Sequence, residues 1–377
     1  MELLAIVLLV LLFYTYLGYG LLAWSVSFFK QKRPLADPKD WPGITLIVPA
    51  FNEAGWLHEK IQNCLNLQYP PEKLQILLIT DGSNDGSESM PWPAQVQVLH
   101  QPQRAGKAAA INRAVPFAQF PIVVITDANT SLNPQALMAL ARPFSNPKVG
   151  GVSGEKMVRS RPGMAQAQEG LYWKYESWLK RKDARLYTLV GAAGELFAFR
   201  ASLFRNLETD AILDDFVLSV RIIEQGFKVD YASDAKASED PSPSIAAEWK
   251  RKIRIAAGAF QSMPRLRLFY KPFHYPLPWF QFFSRRLLRW LFAPWALLLF
   301  FALCLLLTPS HFFWGLLAGL QIAFYGLALV GFLGHRSNAL PTLFKAPFYF
   351  VLMHAAIPVG CFRHLKGKQS ALWDKAR

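Results

Sequence analysis

The sequence predicts an α/β protein with a mostly parallel sheet flanked by helices, and with transmembrane helices at both ends of the chain. Between about residues 40 and 155, short apolar runs alternate with stretches of helical periodicity, which is typical of parallel strands joined by helices. Two of these runs end in Asp, Gly, Asn and Ser, as buried strands do where they pass into loops. The apolar stretches near both termini are long enough to cross a bilayer.

The first membrane segment is predicted at 1–29, because residues 3–29 carry no charged side chain. About 20 apolar residues are enough to span a bilayer. A secretory signal peptide is disfavoured, because the run is too long and lacks both a basic start and a cleavage site of small residues. Since Lys30, Lys32 and Arg33 follow the segment, the positive-inside rule places the N-terminus outside and the next domain in the cytoplasm.

A polar, proline-rich linker at 30–43 precedes the soluble elements. Strands are expected at the apolar runs, which are 44–53 with its loop, 74–80, 96–100 and 121–126. Helices are expected where the apolar spacing is helical, at 53–67, 106–118 and about 134–144. The stretch 156–262 is mixed and ends in a predicted amphipathic helix over 244–262, whose apolar face suits a membrane surface.

The C-terminal part is predicted to be embedded in the membrane. Residues 269–283 are dense in aromatics and proline, as at a membrane–water interface, and 287–307 and 312–333 are predicted spans. The segment 346–362 is shorter and interrupted by proline, so it either spans, or lies in the interface or re-enters. The second arrangement is favoured, because it keeps the basic tail in the cytoplasm. The predicted divisions are 1–29 (transmembrane helix), 30–43 (linker), 44–243 (cytoplasmic α/β domain), 244–284 (interfacial segment), 285–362 (membrane region) and 363–377 (basic tail).

The formal net charge of +15 makes nucleic-acid binding one interpretation. It is disfavoured, because many basic residues lie beside apolar segments, where anionic lipid headgroups are expected; they are Arg285, Arg286, Arg289, Arg363, Lys366 and Lys368. Cys64, Cys304 and Cys361 have neither metal-site nor disulfide spacing, which fits a reducing compartment. The seven histidines are dispersed and form no metal-ligand pair.

Two acidic residues follow neighbouring predicted strands: Asp81 in ITDGSNDGS and Asp127 in VVITDANT. Either one alone would suit a turn or a helix cap. Ligands of open α/β sheets, however, bind at the carboxyl ends of strands. Asp127 and Asn129 offer two oxygens for Mg²⁺ or Mn²⁺, which would neutralise a nucleotide diphosphate. Lys107 begins a predicted helix whose N–H groups suit a phosphate, and Asp81 suits the base or ribose.

Further candidates lie later in the chain. Asp214 and Asp215 precede an apolar helical segment, and either cap that helix or provide a general base for an attacking hydroxyl. Glu195, in a turn before a strand, either faces an acceptor or is structural. Arg251 and Arg254 are expected at the diphosphate, because guanidinium groups match phosphate oxygens.

Six segments resemble, in order, the family-2 glycosyltransferases of the GT-A fold. They are VPAFNE (48–53), TDGSNDGS (80–87), RAGKAAAIN (104–112), TDAN (126–129), GELFAFR (194–200) and DDFVLSVRIIEQGF (214–227). The placement of the apolar segments is similar to the membrane-bound branch that includes cellulose, hyaluronan and poly-N-acetylglucosamine synthases. The resemblance implies a UDP-sugar donor, a divalent metal and inversion at the anomeric carbon.

By this resemblance, Asp215 is the general base, Asp81 contacts the base of the nucleotide, and Asp127 begins a metal-binding DxD-like motif. The donor-binding candidates are Pro49, Glu53, Asp81, Lys107, Asp127, Arg251 and Arg254, the acceptor-binding candidates are Glu195 and Asp214, and the metal ligands are Asp127 and Asn129.

The chain departs from the family pattern at several positions. Thr80 stands where many members have Asp, and Asn129 replaces the second Asp of DxD. The QxxRW motif of processive synthases is absent, because the matching stretch is RKIRI (251–255). Since its Trp helps to seat the acceptor, the departure puts processive polymerisation in question, while Arg254 keeps the position that neutralises the diphosphate.

The resulting hypothesis is an inverting hexosyl- or N-acetylhexosaminyl-transferase that modifies a glycan or a lipid-linked acceptor in polysaccharide or glycolipid biosynthesis. It is expected as a multi-pass protein of the bacterial inner membrane with a cytoplasmic catalytic domain, and as a possible homo-oligomer or partner of an export system. The alternative is a catalytically lapsed membrane scaffold of such a system. A nucleic-acid binder is the third and least favoured option.

Overall fold

The computed structural model describes residues 1–30, 36–159, 165–335 and 341–372, and it describes side chains in all of these except 165–172. Part of the predicted linker, with Lys32 and Arg33, therefore lies outside the described residues. So does the end of the predicted basic tail, residues 373–377.

One mixed sheet forms the centre of the α/β domain. Its strands are β1 (Ile44–Ala50), β2 (Leu74–Asp81), β3 (Val96–Gln101), β4 (Ile122–Thr126), β5 (Ser131–Leu132), β6 (Val149–Val158), β7 (Leu196–Arg200) and β8 (Lys228–Glu239). The strand order is β3-β2-β1-β4-β7-β6-β8-β5. The first four strands in this order are parallel, whereas β7 runs antiparallel to both β4 and β6, and β5 runs antiparallel to β8. The α/β prediction is confirmed, and its expectation of parallel strands applies to one half of the sheet.

The helices are α1 (Glu2–Phe29), α2 (Ala54–Leu65), α3 (Lys107–Ala114), α4 (Ala136–Ala141), α5 (Ala165–Leu186), α6 (Asp214–Glu224), α7 (Ile245–Ser262), α8 (Arg267–Tyr270), α9 (Pro276–Leu307), α10 (Phe312–Leu333) and α11 (Thr342–Leu365). They cover both faces of the sheet. In β1, Ile47 packs into the core that includes α3 and α6, whereas Leu46 and Val48 pack into the core that includes α2 and α4. Since side chains of a strand alternate between its faces, β1 is buried on both and is apolar except at Thr45.

Four helices are long and apolar enough to cross a membrane, namely α1, α9, α10 and α11, within the part of the chain that the structure describes. They agree with the segments predicted near both ends. The weakest prediction, 346–362, lies in α11, which is one continuous helix of 24 residues. Its length suffices to span a bilayer, and the choice between a span and an interfacial or re-entrant segment stays a prediction.

Helix α11 also lies along α7. The Tyr349 hydroxyl donates to Glu248 Oε1 (3.0 Å), and a Cβ added at Gly360 would lie 2.5 Å from Ala256 Cβ. Ile253 and Ala257 of α7 are at most 1% exposed. The apolar face of α7 is thus covered by protein, which differs from the predicted position on the membrane surface. The periodicity indicated that a face is buried, but not what buries it.

A buried ion-pair cluster joins α5 to α9. Arg285 is 2% exposed and pairs with Asp183 and with Glu176 Oε2 (2.7 Å), and Arg289 pairs with Glu176 Oε1 (2.5 Å). The expectation that Arg285 faces lipid headgroups is therefore wrong. Two acidic residues of α5, which the sequence analysis had not considered, compensate its charge inside the protein.

Candidate active site

The loops after β1 and β2 are joined by hydrogen bonds. Asn52, which has a left-handed backbone (φ 52°), donates its N–H to Ser83 Oγ (3.1 Å) and accepts the Asn84 N–H through its side-chain oxygen (2.8 Å). The Ala54 N–H at the start of α2 donates to Asp85 Oδ2 (2.8 Å). These contacts hold the two strand ends together as one polar surface.

The loop after β3 joins the same surface. Gly82 has φ 69°, and a Cβ there would lie 2.5 Å from the Arg104 backbone nitrogen, so a larger residue would force the loops apart. The Arg104 guanidinium lies 3.6 Å from the centre of the Phe51 ring. The carboxyl ends of β1, β2 and β3 therefore meet, as predicted for a ligand site in an open sheet.

Pro49 and Glu53, predicted to bind the donor, lie at this edge. Pro49 is buried in β1 opposite Ile79 and beyond Ile47, where the pairing with β4 ends, so its missing N–H breaks no ladder on that side. Glu53 precedes α2, and its carbonyl accepts the Trp56 N–H (2.8 Å).

Asp81 is almost fully buried, and its carboxylate is engaged by protein groups. Oδ2 accepts the N–H groups of Ala105 (3.0 Å) and Gly106 (2.6 Å), and Oδ1 accepts from Arg113 Nη1 (3.1 Å). Asp81 thereby fixes the turn that begins α3 and positions Lys107. The sequence analysis missed Arg113. Nothing in the sequence pattern indicated that this residue, in the same helix as Lys107, contacts Asp81.

Lys107 connects three elements of the site. Its Nζ lies 2.6 Å from Asp127 Oδ1 after β4 and 3.7 Å from Asp214 Oδ2 at the start of α6. Burial alone would lower the pKa of Lys107, but Asp127 and Asp214 raise it well above its ordinary value. Burial raises the pKa of Asp127, and Lys107 opposes this shift. The predicted donor and acceptor candidates thus lie within one charge cluster.

Asp215 lies next to Gly194, the residue that precedes Glu195. A Cβ added at Gly194 would lie 3.0 Å from Asp215 Oδ2, so the glycine leaves the room that this carboxyl occupies. Burial raises the pKa of Asp215 to about 7, and the negative charge of Asp214 contributes to the shift. A carboxyl group that titrates near neutral pH is suited to exchange protons with a substrate.

Glu195 pairs with Lys156, a residue of β6 that the sequence analysis missed. Lys156 Nζ lies 2.5 Å from Glu195 Oε1 and also contacts Glu239 of β8. Burial would raise the pKa of Glu195, but Lys156 lowers it to about 2. Glu195 is therefore anionic, whereas Asp215 beside it has the pKa of a proton acceptor.

The two arginines of α7 differ in their surroundings. Arg254 Nη2 donates to the Ile212 carbonyl (3.3 Å). Burial lowers the pKa of Arg254, and the negative charges of Asp214 and Asp215 oppose this shift. Arg254 therefore lies within the field of the acidic cluster.

Arg251 instead belongs to an ion-pair network. Its Nε lies 2.9 Å from Glu248 Oε2, and its Nη1 lies 3.8 Å from Glu239 Oε1. The structure thus brings Arg254 to the acidic cluster and holds Arg251 against Glu248 and Glu239.

Asp127 and Asn129 are the candidates for a metal site. The stretch 127–130 is a tight turn, because Thr130 donates its N–H (3.3 Å) and Oγ1 (2.8 Å) to the Asp127 carbonyl. No cluster of three or more His, Cys, Asp or Glu suited to a metal is found within the described ranges. The Asp127 side chain is 30% exposed, and one carboxylate with an amide oxygen fits a cation that fills its shell with phosphate oxygens and water.

Comparison with solved structures supports the GT-A assignment. A mannosyltransferase from Pyrobaculum calidifontis, solved in complex with GDP-Man and Mn²⁺, matches with a TM-score of 0.72 and 25% identity. The match covers 98% of this chain and 99% of that one. The GT-A-like fold that the motifs implied is confirmed.

Two of the curated relatives are poly-beta-1,6-N-acetyl-D-glucosamine synthases. The one from Staphylococcus aureus (strain MSSA476) is 24% identical over 254 residues, which are 64% of this chain and 60% of that protein. The one from Staphylococcus epidermidis is 23% identical over 263 residues, which are 66% and 63%. The match thus spans less than two thirds of these relatives' length. The family described as "Glycosyltransferase like family 2" matches residues 42–258, more than half of the chain, and the chain belongs to this family.

Proposed function

We propose that this chain is an inverting membrane glycosyltransferase that moves a sugar from a nucleotide diphosphate donor to a hydroxyl group of a glycan or lipid-linked acceptor. The observation that carries the proposal is the position of Lys107 between Asp127 and Asp214, with the Asp215 carboxyl beside Gly194. This arrangement combines a cationic group for a leaving diphosphate with a carboxyl that can take a proton.

Asp215 is proposed as the general base. Its carboxylate would accept the proton of the attacking hydroxyl, and the freed oxygen would form a bond to the anomeric carbon. The bond from that carbon to the diphosphate breaks at the opposite face, and its electron pair leaves with the diphosphate oxygen. One such displacement inverts the anomeric configuration. The pKa of Asp215, near 7, supports this role, because a base is most effective when its pKa is close to the operating pH.

The donor end of the site is proposed to lie at Lys107 and Arg254. Their positive charges would stabilise the diphosphate as negative charge develops on it. Asp127 and Asn129 would hold a divalent cation, which supplies further charge neutralisation when it is bound. The ends of β1 and β2 and their joined loops, with Pro49, Glu53 and Asp81, would receive the nucleotide, as strand ends do in open α/β sheets.

Arg251 is proposed to act on the donor through its helix. Its ion pair with Glu239 connects α7 to β8, its pair with Glu248 lies within α7, and α7 carries Arg254. Glu195 and Asp214 are proposed to face the acceptor.

The membrane helices support an acceptor that is reached from the bilayer. The basic residue Lys30 follows α1, which supports a cytoplasmic catalytic domain in a multi-pass protein of the bacterial inner membrane. A non-processive reaction in glycolipid or polysaccharide biosynthesis is favoured over a synthase that works alone. The stretch 251–255 lacks the processive motif, and four spans in the described residues offer little material for a pore unless the protein assembles with copies of itself or an export partner.

The names of the relatives leave two donor classes to test. We expect the purified full-length protein in nanodiscs to release nucleoside diphosphate from one member of a panel of UDP- and GDP-linked hexoses and N-acetylhexosamines, and to need Mg²⁺ or Mn²⁺. Asp215→Asn should abolish transfer and leave donor binding intact. Equal transfer by Asp215→Asn would exclude the base assignment. Sizing of the radiolabelled product then decides between single addition and polymer.

A scaffold without activity is the second candidate, and the departures at the motif support it. Thr80 is fully buried and its hydroxyl is bonded to His100 Nδ1 (2.8 Å), so it cannot replace a carboxylate at a cation. The absence of turnover with every donor of the panel, from a protein that is folded and membrane-inserted, would favour this candidate.

A further inference from the structure

A cavity lies at the other end of α6 from the proposed general base. Asp215 is in the first turn of this helix, and Glu224 at its last residue lines the cavity. The helix has 11 residues, so the two ends are about 16 Å apart at 1.5 Å per residue. The volume is about 380 Å³, which is within the range of small-ligand sites. The cavity is thus separate from the candidate active site.

The cavity lies where the chain enters two of the candidate spans. Its wall includes Tyr275, Pro276 and Leu277, and Pro276 is the first residue of α9. Its wall also includes Tyr187, and the carbonyl of the preceding Leu186 accepts from Lys30 Nζ (2.5 Å), one residue after α1. Helix α1 ends and helix α9 begins beside this cavity. If both cross the bilayer, the cavity lies at the level of the lipid headgroups.

Exposed apolar side chains surround this region. Phe273 is 98% exposed, Leu277 is 47% exposed, and Phe28 and Phe29 at the end of α1 are 76% and 85% exposed. Contiguous exposed apolar residues at a rim of polar groups indicate contact with a membrane or a partner. Since the same segments lead into membrane helices, lipid is the neighbour that fits them here.

Two lysines lie beside the cavity, Lys228 against the Tyr187 ring and Lys30 against the Leu186 carbonyl. Lys228 Nζ lies 4.2 Å from the centre of the Tyr187 ring, and the Lys228 N–H donates to the Lys148 carbonyl (2.8 Å). Burial lowers the pKa of Lys228, and the positive charges of Lys30 and Lys148 lower it further, which Asp230 opposes in part. The group thus has an excess of positive charge that an anion would relieve.

One acidic residue, Glu224, lies in the wall and is held by a backbone group. Glu224 Oε1 accepts the Leu268 N–H (2.9 Å), and burial raises the pKa of this carboxyl. Tyr187 and His274 add side chains that can donate hydrogen bonds, whereas the Tyr275 hydroxyl donates to the Glu224 carbonyl (3.0 Å).

We propose that this cavity and the two lysines beside it, Lys30 and Lys228, bind the phosphate headgroup of an anionic phospholipid, with the acyl chains against Phe273 and Leu277. The proposal does not depend on the catalytic function. Such a site would fix the depth of the α/β domain at the bilayer surface.

The test uses the full-length protein, equilibrated with vesicles of equal phosphatidylglycerol and phosphatidylcholine and then extracted into neutral detergent. Native mass spectrometry should detect retained phosphatidylglycerol. Lys30→Gln with Lys228→Gln should weaken its retention about 30-fold, the factor expected for two lysines near an anionic surface. The matched control, Lys39→Gln with Lys236→Gln, removes two exposed charges elsewhere and should retain the lipid.

A third variant tests the contribution of the cavity independently of the lysine charges. Leu277→Trp fills the space without changing charge and should also reduce retention, and thermal unfolding verifies that each variant is folded. Equal loss in the control pair would mean diffuse surface attraction, and full retention by Leu277→Trp would mean that the cavity is not used; either result overturns the proposal. Displacement of the lipid by millimolar inorganic phosphate would overturn the lipid assignment in favour of free phosphate.

Discussion

Asp215→Asn should abolish sugar transfer and at the same time stabilise the protein. In the folded chain, burial and Asp214 raise the pKa of Asp215 from 3.8 to about 7. At about 1.4 kcal/mol for each tenfold change in proton affinity, this difference corresponds to at most about 4 kcal/mol, since part of the carboxyl remains in water. Asparagine keeps the shape and removes the charge, so the cost of ionising the buried group disappears.

The sign of the pH dependence follows from the raised pKa. Between about pH 4 and 7 the folded state holds a proton on Asp215 that the unfolded state has lost, so stability falls as the pH rises through this window. The Asp215→Asn variant does not lose stability in this way, because asparagine has no titratable proton in this range. Its advantage over the wild type should therefore grow by about 3 kcal/mol or less between pH 5 and pH 8.

The assay is thermal unfolding in detergent at both pH values, followed by tryptophan fluorescence without metal or donor. The control is Asp210→Asn. Arg265 lowers the pKa of Asp210 through a hydrogen bond, so that variant should show no pH-dependent gain. Transfer by Asp215→Asn should fall by about 10²- to 10⁴-fold, as for loss of a general base. A melting-temperature difference that is zero at both pH values, or that shrinks as the pH rises, would refute the reasoning.

Three further predictions concern charges in and near the site. Lys156→Met should lower the free energy of unfolding by about 3–5 kcal/mol, because Glu195 and a second carboxylate stay buried without their partner; an unchanged denaturation midpoint would contradict this. Asn129→Asp should strengthen Mn²⁺ binding about tenfold by adding a second carboxylate, as measured by the paramagnetic resonance of free Mn²⁺; no gain would mean that position 129 is not a ligand. Arg254→Lys should raise the donor KM about tenfold, whereas Arg251→Lys should mainly lower the melting temperature; equal effects on KM would remove the distinction between the two arginines.

The strand ends that carry Asp81 and Asp127 were predictable because their strands are buried on both faces. Such strands are continuous apolar runs, and the polar loop residues that follow mark their ends within a residue. The prediction 74–80 corresponds to Leu74–Asp81, and 121–126 corresponds to Ile122–Thr126. That the loops share one edge followed from the rule for open parallel sheets.

The second half of the sheet was not predictable in this way. The pairing of Lys156 with Glu195 depends on β7 lying beside β6, and that with Glu239 depends on the parallel alignment of β6 and β8, which includes a bulge. These are contacts between distant segments, and no local pattern encodes them. For Arg251, periodicity identified the helix, but the spacing of charges does not distinguish a carboxylate neighbour from a phosphate.

The close contact at Gly360 has a mechanical consequence. A Cβ at this position would lie 2.5 Å from Ala256 and 2.8 Å from the Ala257 nitrogen, so the backbones of α11 and α7 touch with no side chain between them. At this contact the two helices have no room to approach each other further. We therefore expect a tilt of α11 to shift α7 and, with it, Arg254, which we propose as a donor-binding residue.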